Sequence, residues 1–282
     1  MKVLVTGAAG QLGQDVLLEL EKNNHQAIGT DRSQLDITNE ADVYAFIQEA
    51  KPDVILHCAA YTNVDGAEAD EETAYRVNGL GAKYLAAAAK LVGSKMMYIS
   101  TDYVFDGSAS EPYEAEHPTK PLGAYGRTKL VGEEFVQASL DEYFIVRTAW
   151  VFGAHGNNFV KTMLRLGKER GEVGVVHDQV GSPTYTVDLA KFMVELMVTE
   201  KYGIYHATNR GVCSWFEFAV EIFKQAGLNV KVNPLTTEQF PRPAARPKYS
   251  VLSKKKIEEQ GFTPLPKWQN ALSAYLKELK EI

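Results

Sequence analysis

The stretch AYGRTK places Tyr125 and Lys129 four positions apart. If a helix begins near Ala124, one turn brings the phenol and the ammonium side by side. Such a pair is either ordinary helix-surface chemistry or a tuned proton donor. A free phenol, with a pKa of about 10, is a sluggish acid at neutral pH. A cation about 4 Å away is worth roughly 4 kcal/mol at an effective dielectric of about 20, or about three pKa units at the upper end. That would bring Tyr125 toward working pH. A hydroxyl, Thr101, closes the strand-like run YISTDYVFDG some two dozen residues upstream.

A second set of residues could hold a phosphate. Gly7, Gly10 and Gly13 in VTGAAGQLG form GxxGxxG rather than the tighter GxGxxG, following a strand pattern and opening a helical one. Alone the glycines are weak evidence, and that context raises them. Such a loop allows close backbone approach, and the helix N-terminus offers free N–H groups to a pyrophosphate. Asp31 lies 18 residues past Gly13, near the offset of about 20 expected for a ribose-binding acid. Asp31 alone favours NADH; the neighbouring Arg32 could meet a 2′-phosphate, so NADPH and NADH both stay open. Asp36, before Ile37, could hold the adenine edge or be a solvated acid. Ala59 and Ala60 would let a cofactor lie close to the third strand.

These groups need a scaffold that gathers strand ends. Strand-like stretches at 2–6, 26–30, 53–59, 95–100 and 143–150 alternate with helical patterns at about 11–22, 40–50, 71–92 and 125–138. The strands suit a sheet buried on both faces. The repeat predicts an α/β fold with a doubly wound parallel (Rossmann) sheet, which binds ligands at the carboxyl ends of its strands. Further strands are expected at 173–178 and 203–209, with a helix at 187–197 between them. SWFEFAVEIFKQAG is helical, VNPLTTEQFPRPAARPKYS reads as a proline-rich basic loop, and a last helix spans about 267–280. We expect residues 1–155, with 181–207 returning to them, to bind the dinucleotide. Residues 156–180 and 208–282 are expected to form a smaller C-terminal substrate-binding α/β domain.

The 282 residues are 45% hydrophobic, enough for a sizeable core, and the formal net charge of -6 argues against nucleic acid or an anionic membrane as partner. No apolar stretch approaches the roughly 20 residues of a membrane helix. MKVLVTG enters a strand with no signal peptide ahead of it, so a cytoplasmic setting is expected. Cys58 and Cys213 form no CxxC pair and read as free thiols. The six histidines are scattered, and no zinc site is expected.

The ordered motifs TGAAGQLG, AAYTNVDGAE, STDYVFDG, YGRTKLVGE, RTAWVFG, GNNFVKTML, DQVGSPTYTVDLA and RPKYSVL give the chain a resemblance to a family. It resembles the extended short-chain dehydrogenase/reductases and, more closely, the dTDP-4-dehydrorhamnose reductase family, over residues 1 to about 278. The resemblance implies reduction of the 4-keto group of dTDP-6-deoxy-L-lyxo-4-hexulose to dTDP-L-rhamnose, with NADPH or NADH as hydride donor. Carried over residue by residue, it makes Tyr125 the proton donor to the sugar oxygen. Lys129 would hold the nicotinamide ribose and favour the phenolate, and Thr101 would hydrogen-bond the same oxygen. Trp150 and Tyr103 would face the sugar nucleotide. Gly10, Gln11 and Leu12 would line the dinucleotide with Asp31, Asp36 and Ile37, as would Ala60, Tyr61 and Thr62. A homodimer stays open, and Mg2+ dependence is not readable from these residues.

Rivals differ at specific places. A dehydratase of this fold places Asp-Glu after the strand-end Thr, whereas Thr101 is followed by Asp102 and Tyr103. An epimerase would retain its cofactor through purification. A regulatory subunit like the methionine adenosyltransferase beta subunit needs no active site, yet Thr101, Tyr125 and Lys129 are intact. For the substrate, PRPAARPK sets Arg242, Arg246 and Lys248 in a proline-stiffened loop suited to a diphosphate. GSPTY, at 181–185, could shape the sugar pocket.

Overall fold

The computed structural model describes residues 1–281. Its central sheet has six parallel strands: β1 (Lys2–Thr6), β2 (Gln26–Thr30), β3 (Val54–His57), β4 (Lys95–Thr101), β5 (Tyr143–Thr148) and the strand Gly203–His206. From one edge the order is Gly203–His206, β5, β4, β3, β1, β2. The winding reverses beside β1, so a crevice opens between β1 and β3 at their carboxyl ends.

Successive strand residues point to opposite faces, and both faces are apolar. Val3, Val5, Val54 and Leu56 pack with Val16 and Leu20 of α1 (Gln11–Lys22) and with Leu189 and Met193 of the helix Thr186–Met197. On the other face Leu4, Ile55, Met96 and Ile145 meet Val43 and Ile47 of α2 (Glu40–Ala50). The C-terminal helices Phe159–Arg170, Trp215–Ala226 and Trp268–Glu281 gather around a separate apolar core that includes Val160, Phe218, Ile222 and Leu272.

Three expectations change. A helix, α3 (Val64–Ala69), lies where none was expected. The helix expected over 71–92 is α4 (Glu71–Tyr75), a π-helical turn (Arg76–Leu80) and α5 (Gly81–Val92). Such a bulge fits an extra residue into a turn, and here it directs the buried Asn78 side chain toward the loop after β3. Glu172–Val176 pairs with a strand, Lys231–Leu235, that overlaps the start of the stretch read as a loop. Pro234 is tolerated there because a two-stranded ribbon is all edge.

Candidate active site

A cleft of about 930 Å³ runs along the carboxyl ends of the strands. The glycine loop forms its floor. Gly7 has φ +68, and a Cβ there would lie 2.6 Å from the Ala59 backbone nitrogen, so only glycine fits. Gly10 caps α1 with no side-chain hydrogen bond to the first-turn amides. Those donors, with Gln11, Leu12 and Gly13, line the cleft. This is the uncapped helix end that an anion favours.

Asp31 and Arg32 follow β2 at the rim, and Asp36 and Ile37 line the same end. Asp31 accepts the Ser33 backbone N–H at 2.8 Å and its hydroxyl at 2.6 Å, which hold its carboxyl below the usual range. Arg32 is 89% exposed, with Nε 3.8 Å from an oxygen of Asp36. Ala60, Tyr61 and Thr62 line the cleft after β3. Asn78 fixes their backbone: its Oδ1 accepts the Tyr61 N–H at 2.8 Å and its amide donates to the Tyr61 carbonyl at 3.2 Å.

Thr101 ends β4, and Tyr125 and Lys129 lie in the first turns of α6 (Ala124–Ser139); all three line the cleft. No side chain of its own cap closes α6; instead Glu68 Oε1 on α3 accepts the Ala124 N–H at 2.7 Å. The Tyr103 and Tyr125 rings meet edge to face, 5.6 Å between centres.

The expected pairing of Lys129 with the phenol is not what these side chains do. Lys129 Nζ donates to the Ile99 carbonyl at 2.6 Å and lies 4.0 Å from the centre of the Tyr98 ring. Burial lowers its pKa to about 7, against the opposing pull of Glu133. Burial also pushes the Tyr125 phenol up to about 12; the Thr101 hydroxyl beside it works the other way. Desolvation therefore outweighs the cation that the spacing suggested.

Under α6, Glu133 accepts from Arg147 at 2.9 and 2.7 Å, and the Ser100 hydroxyl donates to the same carboxylate. Arg147 also donates to the Ala115 carbonyl at 3.0 Å. This buried pair ties the helix carrying Tyr125 to β4 and β5.

At the far end of the cleft Trp150, with φ +50, stacks on Trp215 with ring centres 3.6 Å apart. Gly181, of GSPTY, leaves the room: a Cβ there would meet the Trp150 ring at 2.7 Å.

The two loop arginines lie elsewhere than expected. Arg242 and Arg246 are absent from the cleft lining, and both guanidiniums converge on Asp65 at the start of α3. Arg246 grips it with two bonds, of 3.0 and 3.1 Å. Burial pushes the Asp65 pKa up, but the two arginines and the backbone N–H of Ala244 together outweigh it and lower it to about 2.

Several residues were missed: Trp215, which the helical pattern absorbed as core; Asn78, hidden by the π turn; and Asp65 and Glu68, on a helix too short for periodicity to register. Only the acidic spacing in VDGAE hinted at the last two.

Comparison with known proteins gives the family of the chain. The family model described as the RmlD substrate binding domain matches residues 1–281. A dTDP-4-dehydrorhamnose reductase structure from Clostridium acetobutylicum is 51% identical, with a TM-score of 0.98, covering 99% of this chain and 100% of that one. The Bacillus anthracis reductase, solved in complex with NADP, is 48% identical with a TM-score of 0.96 and the same coverage. The dTDP-4-dehydrorhamnose reductase of Aggregatibacter actinomycetemcomitans is 43% identical over 96% of this chain and 97% of the relative. Matched along nearly its whole length, the chain belongs to the RmlD family, together with these dTDP-4-dehydrorhamnose reductases.

Proposed function

We propose that this chain reduces the 4-keto group of dTDP-4-dehydro-6-deoxy-L-mannose (dTDP-4-dehydrorhamnose), giving dTDP-L-rhamnose, with NADPH or NADH. The observation that carries this reading is one cleft lined both by the glycine loop and by Thr101, Tyr125 and Lys129. The Gly7 cradle and the uncapped α1 terminus fit a dinucleotide pyrophosphate. Asp31, Arg32, Asp36 and Ile37 would hold the adenosine end, and Ala60, Tyr61 and Thr62 would flank the chain toward the nicotinamide. Lys129 would hold the nicotinamide ribose. When bound, the reduced cofactor supplies the hydride.

The chain's own residues handle the proton. With its pKa pushed up to about 12, Tyr125 enters each cycle protonated. As charge develops on the sugar oxygen, an alkoxide becomes the stronger base and the phenolic proton moves to it. Thr101 holds that oxygen in line, and Tyr103 and the Trp150–Trp215 stack shape the sugar-nucleotide side. Arg242 and Arg246, outside the cleft lining, share the one carboxylate of Asp65, and their net charge of +1 would attract the diphosphate. Two free cysteines suit a reducing cytoplasm, and among the described residues no helix is long and apolar enough to cross a membrane.

The test is oxidation of NADPH and NADH by the purified protein with the dTDP-4-keto sugar, beside the UDP and GDP analogues. Turnover confined to the dTDP sugar is expected; none with any keto sugar would refute the reading.

A further inference from the structure

Tyr125 is the second residue of α6. The leading backbone N–H groups of a helix have no partners inside it, and an N-cap side chain ordinarily takes one of them. Gly123, the N-cap here, has no side chain to offer. The partner comes from α3, 56 residues away in sequence, where Glu68 Oε1 accepts the Ala124 N–H at 2.7 Å.

The fit is close on both sides of the phenol. A Cβ on Gly123 would lie 2.5 Å from the same Glu68 oxygen, so the N-cap is bare where the carboxylate docks. A Cβ on Gly126 would strike the Tyr103 carbonyl, so the backbone just past Tyr125 is pressed against the turn after β4. Ala67 of α3 and Ala124 belong to one small buried cluster, and Tyr125 packs against it. Farther along, the Thr128 hydroxyl accepts from Asn78 Nδ2 at 3.1 Å and donates to the Tyr125 carbonyl at 3.0 Å. The turn is thus pinned on its far side through Asn78 and on its near side by Glu68. Arg127 also grips Glu71 of α4, at 2.9 and 2.8 Å, but the two are 44% and 49% exposed. Such a surface pair contributes little.

We propose that Glu68 is a positioning residue for the proton transfer: its carboxylate fixes the first turn of α6 and so sets where the Tyr125 phenol meets the sugar oxygen. A negative charge suits that place, because the helix dipole is positive at its N-terminus. Proton transfer needs donor and acceptor within hydrogen-bond reach, and a misplacement of about 1 Å can cost roughly a hundredfold in rate. Glu68 is absent from the cleft lining, so it acts through Tyr125 rather than on a ligand. Lys129 lies a full turn deeper in α6, where the helix's own hydrogen bonds hold the backbone. Cofactor binding is therefore independent of Glu68.

The role rests on the reductase reading, and single-turnover oxidation of NADPH with the dTDP-4-keto sugar tests the two apart. Glu68→Ala should react roughly ten- to a hundredfold more slowly, with the NADPH Kd and the sugar KM unchanged. Glu68→Gln keeps an oxygen that can accept the Ala124 N–H and should recover most of the rate. Gly123 is extended, with φ -124 and ψ 170, so its backbone admits alanine. Gly123→Ala should repeat the loss by displacing the carboxylate of an intact Glu68, and it serves also if Glu68→Ala does not fold. In a Tyr125→Phe background Glu68→Ala should cost nothing more, because the proton it would misplace has gone. A cap needed for the fold alone would leave Glu68→Ala near the wild-type rate or slow both backgrounds alike, and either result would overturn the proposal. So would a Glu68→Gln rate as low as that of Glu68→Ala. If the wild type oxidises no NADPH with any keto sugar, the reductase reading falls, and this role falls with it.

Discussion

Lys129 Nζ lies 2.6 Å from the Ile99 carbonyl oxygen. The ammonium therefore faces the end of β4, although the four-residue spacing suggested the phenol of Tyr125. It is 2% exposed, and its pKa is lowered to about 7 from an ordinary 10.5. A buried amine that loses its proton near neutrality is held there for binding or chemistry, not for stability.

Lys129→Met should accordingly lose both turnover and cofactor affinity while stabilising the fold. The folded pKa lies below the unfolded one, so the burial cost on the charged amine is fully present below pH about 7. It is relieved as pH rises from there toward 10.5, where the unfolded chain binds more protons than the folded one. The variant's gain in urea midpoint should thus be largest in mild acid and shrink in mild base. A gain independent of pH would show that Lys129 is not desolvated as described.

Arg32→Ala should weaken NADPH more than NADH. The side chain is almost fully exposed beside Asp31 and is held only by a 3.8 Å contact to Asp36, so it can swing to a 2′-phosphate. Losing one charge-assisted hydrogen bond costs about 1.5–3 kcal/mol, roughly ten- to a hundredfold in Kd. Equal losses for the two cofactors, measured by calorimetry, would place Arg32 away from the 2′ position.

Arg246→Ala should raise the KM for the dTDP sugar by roughly ten- to a hundredfold, with NADPH affinity intact. Arg242→Ala should do less, since Arg242 is the more exposed of the two. Unchanged dTDP-sugar binding in both variants and in the double variant would leave these arginines as a tether to Asp65 alone.

How much of this was legible in the residues follows from the reach of each signal. VTGAAGQLG announced the glycine turn between β1 and α1 because strand, glycines and helix are contiguous. The parallel sheet was legible because strands buried on both faces carry unbroken apolar runs, such as VIL in β3 and MMYI in β4. What a side chain touches across the fold was not. Lys129 and Tyr125 share a helix, but Ile99 and Tyr98 arrive from a strand some thirty residues away. Asp65 claims Arg242 and Arg246 across about 180 residues, a pairing that no local pattern encodes. The π turn erased the helical period at the position where Asn78 works.

Arg147→Met should cost about 3–5 kcal/mol, because Glu133 would then be a buried charge without its partner. A double variant, Glu133→Leu with Arg147→Met, should recover much of that loss. Chemical denaturation of the three proteins measures it. A single-variant loss under about 1 kcal/mol would mean the pair is solvated rather than sealed under α6.

The central claim is that Tyr125 delivers the proton to the sugar oxygen. It is tested most directly by the single-turnover rate of NADPH oxidation with the dTDP-4-keto sugar in wild type and Tyr125→Phe. The account predicts a folded variant that binds NADPH normally and reacts about 10²–10⁴-fold more slowly, since only the transferable proton is gone. A variant that turns over at close to the wild-type rate would contradict it.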